Sequence, residues 1–233
     1  MLKCESLTKK YGSKLAVHNL TLNIEKGKVY ALLGSNGSGK TTLMKMIAGL
    51  THPTSGTILY ENQPIGIASK KEIAYMPTDS FFYKYMSIKD VGKYYKDFFQ
   101  DFDEEKYKEL LERMELSEKL KASSLSTGLG AKLKLCVTLA RKAKLYMLDE
   151  PLNGIDIIAR EQVMNTILEA MNEENSFIIS SHLVDELETV IDEAIFIKNG
   201  VLELNRSAEE LRAQYNNSIS EIYKMIYLGK GEF

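Results

Sequence analysis

The sequence predicts an α/β fold with a parallel-sheet core around a phosphate-binding loop and a helical lobe inserted into that core. Three observations predict it. Gly34-Ser35-Asn36-Gly37-Ser38-Gly39-Lys40-Thr41-Thr42 fits G-x-x-x-x-G-K-[ST] and lies between a buried-strand run, Val29-Tyr30-Ala31-Leu32-Leu33, and a helical stretch over 43–48. Apolar runs at 145–148 and 177–179 alternate with helical segments, as strands of a parallel sheet do. From 80 to about 121 that alternation stops, and the chain turns helical and rich in Tyr, Phe and Lys.

Taken in order, residues 2–24 read as short strands around a turn at Tyr11-Gly12-Ser13. Gly49 stands where the helix after the loop would be capped. Pro53-Thr54-Ser55-Gly56 leads into a strand over 57–60, and Ile73-Ala74-Tyr75-Met76 is a short strand stopped by Pro77. In the lobe, Ser87 and Asp90 form a capping box with Asp in place of Glu or Gln. Tyr107, Leu110, Leu111 and Met114 recur at helical spacing. The aromatics Phe81, Phe82, Tyr83, Tyr85, Tyr94, Tyr95, Phe98 and Phe99 either form the lobe's small core or line a groove for a partner helix. Helices are expected over 131–142, 157–171 and 184–191. Strands 194–197 and 201–204 flank Asn199-Gly200, a hairpin signal. From Ser207 the chain is read as helix and then a tail, with the core over about 1–78 and 126–212, the lobe over 79–125 and the tail over 213–233.

The 233 residues carry 44% hydrophobic and 27% charged side chains, which is ordinary for a globular chain. A net charge of −2 gives no footprint for nucleic-acid binding or a polybasic membrane anchor. Cys4 and Cys136 lack metal-type spacing, so a reduced, intracellular protein is expected. The first residues lack the apolar core of a signal peptide, and no apolar run is long enough for a spanning helix. A membrane role would therefore come through a partner.

The loop supplies half of a phosphate site. Its glycines let backbone N–H groups converge on phosphate oxygens, and the helix N-terminus adds partial positive charge. Lys40 would reach the β- and γ-phosphates, and Thr41 would hold Mg²⁺. Asp149 and Glu150 follow the 145–148 strand, where ligands of an open α/β sheet collect. Asp149 would approach the Mg²⁺ shell through water, and Glu150 would face the γ-phosphate and its attacking water.

These motifs, with others in fixed order, resemble the ATP-binding cassette (ABC) ATPases, specifically the stand-alone nucleotide-binding subunit of an export-type ABC transporter. The resemblance covers residues 2 to about 212. It implies the ABC ATPase nucleotide-binding fold: a P-loop parallel-sheet core, an N-terminal antiparallel β subdomain and an inserted helical lobe. It also implies ATP and Mg²⁺ as cofactors. Tyr11 takes the place of the aromatic residue that stacks on adenine. Leu125-Ser126-Thr127-Gly128-Leu129 occupies the place of the family's Leu-Ser-Gly-Gly-Gln; Ser126 and Gly128 match, while Thr127 and Leu129 depart. In the family this element reaches the ATP of an opposing subunit. Asp156 matches the aspartate that links the two sites, and it can equally cap the next helix, or do both. His182 matches the switch histidine that holds Glu150 and water in line. Thr78 stands where the family has a glutamine; its side chain is shorter, leaving Asp79 or a bridging water to make up the reach.

Function follows the same resemblance: ATP hydrolysis coupled to closure of a dimer, homo- or heteromeric, on the cytoplasmic face of a membrane beside separate permease subunits. The alternatives are a soluble ABC ATPase of a non-transport machine and a regulatory cassette with weak hydrolysis. Thr78, Thr127 and Leu129 favour the last; Lys40, Asp149, Glu150 and His182 oppose it.

Overall fold

The computed structural model describes residues 1–228, so the end of the expected tail, 229–233, lies outside the described residues. Strands β1 (Leu2–Tyr11) and β2 (Lys14–Ile24) turn back on each other at Gly12-Ser13. After β3 (Val29–Leu33) and α1 (Lys40–Ile47), β4 (Ser55–Tyr60) and β5 (Gln63–Pro64) join the first pair. The result is a four-stranded antiparallel sheet of order β2-β1-β4-β5.

A short helix, α2 (Ile67–Glu72), leads to β6 (Ile73–Met76). The lobe follows as α3 (Ile88–Phe98) and α4 (Glu104–Arg113), and then α5 (Thr127–Leu139) re-enters the core. Next come β7 (Leu145–Asp149), α6 (Ile157–Ala170), β8 (Ser176–Ser181), β9 (Glu193–Lys198) and β10 (Val201–Ser207). Helices α7 (Ala208–Tyr215) and α8 (Ile219–Leu228) close the described chain. The second sheet has the order β10-β9-β3-β8-β7-β6. Its strands β9, β3, β8, β7 and β6 are parallel, and β10 runs antiparallel at the edge.

The parallel strands are apolar through their middles because each buries both faces there. In β3, Val29, Ala31 and Leu33 face one core while Tyr30 and Leu32 face the other. The same alternation sends Tyr146, Leu148, Phe177 and Phe196 to the first core, and Leu145, Met147, Ile178 and Ile195 to the second. The second core lies between the parallel sheet, α1 and the antiparallel sheet. The first takes in α5, α6, α8 and the lobe, including Val91, Tyr107, Leu111 and Met114. Each fully buried large side chain here, such as Phe177 or Phe196, contributes about 2–3 kcal/mol by leaving water.

Local chemistry sets the element ends. The Ser87 hydroxyl accepts from Asp90 N–H at 3.1 Å, and the Asp90 carboxylate accepts from Ser87 N–H at 3.0 Å. Asp103 caps α4 by accepting from the N–H groups of Glu105 and Lys106. Asn199 and Gly200 take φ of 51° and 81° in the β9–β10 turn.

Several expectations are corrected. Helix begins only after Ser87, because 80–86 is irregular and held by contacts such as Met86 N–H to Tyr83 O. Residues 184–191 do not form the expected helix. They make one 3₁₀ turn, Val184–Glu186, and further turns closed by Leu187 N–H to Val184 O and Val190 N–H to Leu187 O. The segment is fixed at both ends, since it follows β8 directly and Asp192 N–H donates to Val29 O. The helix expected over 131–142 starts four residues earlier, where Ser126 caps it. Of the lobe aromatics, Phe82, Tyr95 and Phe99 pack on the core, whereas Phe81, Tyr83, Tyr85, Tyr94 and Phe98 remain exposed.

Candidate functional site

The parallel register brings the carboxyl ends of three strands together. Leu33 pairs with Ser181 and Asp149 with Ser180, so Gly34, Glu150 and His182 leave the sheet at one edge. The phosphate-loop segment turns here from β3 into α1. Gly39 takes φ +112°, and a Cβ on it would lie 2.5 Å from the Ala16 carbonyl oxygen. Only glycine meets both demands at that point.

A cavity of about 390 Å³ opens over the loop, lined by Tyr11, Asn36 to Thr42, Thr78, Glu150, Asn153 and His182, among others. Gly34 and Ser35 begin the turn beneath it. Lys40 is buried, and its ammonium donates to Gly34 O at 2.7 Å and Ser35 O at 3.4 Å. Glu150 Oε1 lies 3.3 Å from Lys40 Nζ, and Oε2 lies 2.7 Å from His182 Nδ1. His182 N–H also donates to Oε2 at 3.4 Å. One carboxylate thus bridges the loop lysine and the histidine. Glu150 itself sits at φ +53°, a left-handed backbone that costs a non-glycine residue about 1 kcal/mol. Two bonds hold it there, from Glu150 N–H to Ser180 O and to Ser180 Oγ.

Asp149 is wholly buried. Its Oδ1 accepts from the Ser180 hydroxyl at 2.6 Å and its Oδ2 from the Tyr75 hydroxyl at 3.3 Å. Burial, with the Asp149 carboxylate beside it, pushes the Tyr75 phenol well above the ordinary tyrosine range. Thr41 lies at the first turn of α1, half-buried at the pocket wall. The Thr78 hydroxyl donates to Asp149 O at 3.4 Å. Among the described residues, Ser38 Oγ is buried without a hydrogen-bond partner, and the only group against the buried Glu150 Oε1 is the Lys40 ammonium at 3.3 Å; all three residues line this pocket. A buried cation and an unpartnered hydroxyl beside a glycine loop suit a polar, anionic ligand.

Ser126, Gly128 and Asp156 lie outside this cavity. Ser126 and Asp156 are exposed and cap α5 and α6, accepting from Leu129 N–H at 3.3 Å and Ala159 N–H at 3.0 Å. That bond holds the Asp156 carboxyl below its ordinary range. A Cβ on Gly128 would come within 2.8 Å of the Gly154 carbonyl oxygen, so the two predicted loops touch each other. Several residues escaped the sequence reading: Lys14, Ala16 and Asn153 on the cavity wall, and Ser180 and Tyr75 behind Asp149. Only the small polar end of the 177–179 run hinted at Ser180.

A glycine loop at the carboxyl edge of a parallel sheet, flanked by an antiparallel sheet and a helical lobe, defines a P-loop nucleotide-binding protein of cassette architecture. The ABC transporter family model matches residues 17–153, and the chain belongs to that family. It is 34% identical over 224 residues to the lantibiotic transport ATP-binding protein SrtF of Streptococcus pyogenes, across 94% of this chain and 97% of that one. It is 32% identical over 218 residues to the ABC transporter ATP-binding protein YtrB of Bacillus subtilis, across 92% of this chain and 75% of that one. In fold it matches a solved ATP-binding subunit of an ABC transporter with a TM-score of 0.84 at 22% identity, over 96% of this chain and 98% of the other.

Proposed function

We propose that the chain binds and hydrolyses ATP and powers an export-type ABC transporter through ATP-dependent closure of a dimer. The observation that carries this reading is the convergence of Lys40, Glu150 and His182 on one pocket above the glycine loop. In this reading Tyr11 stacks on adenine, and the loop N–H groups from Gly34 to Thr42 hold the phosphates. Lys40 exchanges its loop carbonyls and Glu150 for the β- and γ-phosphates. Glu150 is then free to accept a proton from, or orient, the attacking water, and His182 keeps that carboxylate in line. Phosphoryl transfer asks mainly for such positioning and charge neutralisation.

The Thr41 hydroxyl and the Asp149 carboxylate, the latter through water, would hold Mg²⁺, and an all-oxygen donor set suits that ion. When bound, the ion neutralises charge on the phosphate oxygens. Ser180 and Tyr75 hold the Asp149 carboxylate in place by donating to its two oxygens.

Ser126, Gly128 and Asp156 would serve the nucleotide of an opposing subunit, identical or related. Export is supported by likeness to the streptococcal relative, whose name specifies lantibiotic transport. Among the described residues no helix is long and apolar enough to cross a membrane. In this reading separate permease subunits do so and hold the chain on the cytoplasmic face. An apolar groove of about 350 Å³, lined by Leu50, Tyr75, Phe81, Tyr95 and Phe99, offers a seat for a permease helix.

Glu150→Gln tests the proposal. ATP should still bind, hydrolysis should fall by about 10²–10³-fold, and a closed dimer should accumulate in gel filtration. Turnover at the normal rate would remove Glu150 from the mechanism.

A further inference from the structure

Lys134 lies inside α5, buried to 7% exposure. Among the described residues no carboxylate stands within ion-pair distance of it; Asp79 and Asp149 act on it only at longer range, and burial pushes its pKa below the ordinary lysine value. Its ammonium donates instead to two consecutive carbonyl oxygens, Pro77 O at 2.9 Å and Thr78 O. Those residues follow β6, and Thr78 lines the phosphate pocket. Thr78 continues the chain of contacts, because its hydroxyl donates to the Asp149 carbonyl.

A buried lysine is an expensive way to pack a helix. Its desolvation costs stability that its hydrogen bonds to the two carbonyls must offset, whereas an apolar side chain would incur no such cost. Packing therefore does not account for a cation at this position. The location does suggest a role: α5 begins at Ser126, and eight residues of helix, about 12 Å, separate that cap from Lys134. One end of the helix carries the exposed Ser126–Gly128 element, and its interior grips the pocket wall. The grip falls where the chain carries Thr78, whose short side chain reaches no further than the Asp149 backbone.

We propose that Lys134 is a positioning residue for hydrolysis, tying the segment that brings Thr78 to the phosphate pocket to the helix that starts at Ser126. It rests on the ATPase reading above. Lys134 acts through the backbone of Thr78 and touches neither nucleotide nor water. It couples the state of one helix end to the position of Thr78 at the pocket.

Lys134→Met removes the donors and keeps the length. The test compares kcat, the Kd for a fluorescent ATP analogue in the presence of Mg²⁺, and Tm, all on the full chain. We expect kcat per folded molecule to fall about tenfold, with Kd within threefold of the parent, whatever Tm the loss of two carbonyl partners leaves. A merely structural lysine gives a lower Tm and an unchanged kcat per folded molecule. That pattern, or a kcat within twofold of the parent, overturns the proposal. If Lys134→Met does not fold, Lys134→Gln decides by the same criteria on kcat and Kd. Parent protein that neither binds nor hydrolyses ATP overturns the functional reading and this inference together. Active parent protein with an unaffected variant overturns the inference alone.

Discussion

At Lys40 and Glu150 the charged groups are largely buried and met from within the chain; at Ser126 and Asp156 the polar groups are exposed and cap their own helices. Lys40 contacts two loop carbonyls and Glu150, and Glu150 contacts His182. Ser126 and Asp156 each accept one bond from a helix N-terminal N–H group. The pocket's charged side chains thus meet one another within a single chain. The exposed face has a hydroxyl, a carboxylate and a close glycine approach, outside that pocket. The difference teaches that affinity for nucleotide and competence to turn it over need not reside in the same surface of one chain.

The largest expected effect breaks the first region. Lys40→Ala should weaken ATP binding by the single chain about 100-fold or more, since the phosphates lose a buried charged donor. Equilibrium binding at low protein concentration reads this. Equal weakening by a substitution at Ser126 would erase the contrast between the two regions. Gly128→Val sharpens it with a smaller effect. Its side chain would press on the Gly154 carbonyl, 2.8 Å from the Cβ position, and deform the exposed face. Turnover should drop about tenfold, while single-chain ATP affinity stays at the parent value. An affinity loss matching the turnover loss would place Gly128 in the pocket's half of the work.

The smallest effect concerns Asp156. Its folded carboxyl is depressed by the Ala159 N–H bond. The stabilisation it gives is complete above the ordinary aspartate pKa and is lost as pH falls through the depressed value. Asp156→Asn keeps a cap without the titration, so it should flatten this part of the acid loss of stability. Thermal melts at neutral pH and below the aspartate range, compared between parent and variant, read the difference. Identical acid slopes would show that the exposed cap contributes nothing.

What was legible in the sequence was local. The Gly34–Thr42 segment encodes its own turn; the run before Asp149 encodes a strand by apolar content; Asn199-Gly200 encodes its hairpin. Ser87 with Asp90 marks a helix start through side-chain chemistry that needs no distant partner. What escaped was set by tertiary contact. Residues 184–191 have helical composition, yet anchoring at both ends leaves room only for turns. Helix α8 was hidden because it forms by docking: Glu188 accepts from the N–H groups of Ile219 and Ser220, and the Tyr227 hydroxyl donates to Ile197 O at 2.5 Å. Ser180 and Tyr75 meet Asp149 only through strand pairing. Lys134 showed nothing in sequence because a lysine in a helix is ordinarily solvated, and only burial makes it unusual.

Glu150 has one more consequence. Because its backbone occupies the mirror-image basin, replacement by glycine would relieve about 1 kcal/mol of local conformational cost. That relief opposes the loss of the side chain that bridges Lys40 and His182. Any attempt to toughen this molecule should hold position 150 fixed, because there backbone ease and chemistry pull in opposite directions.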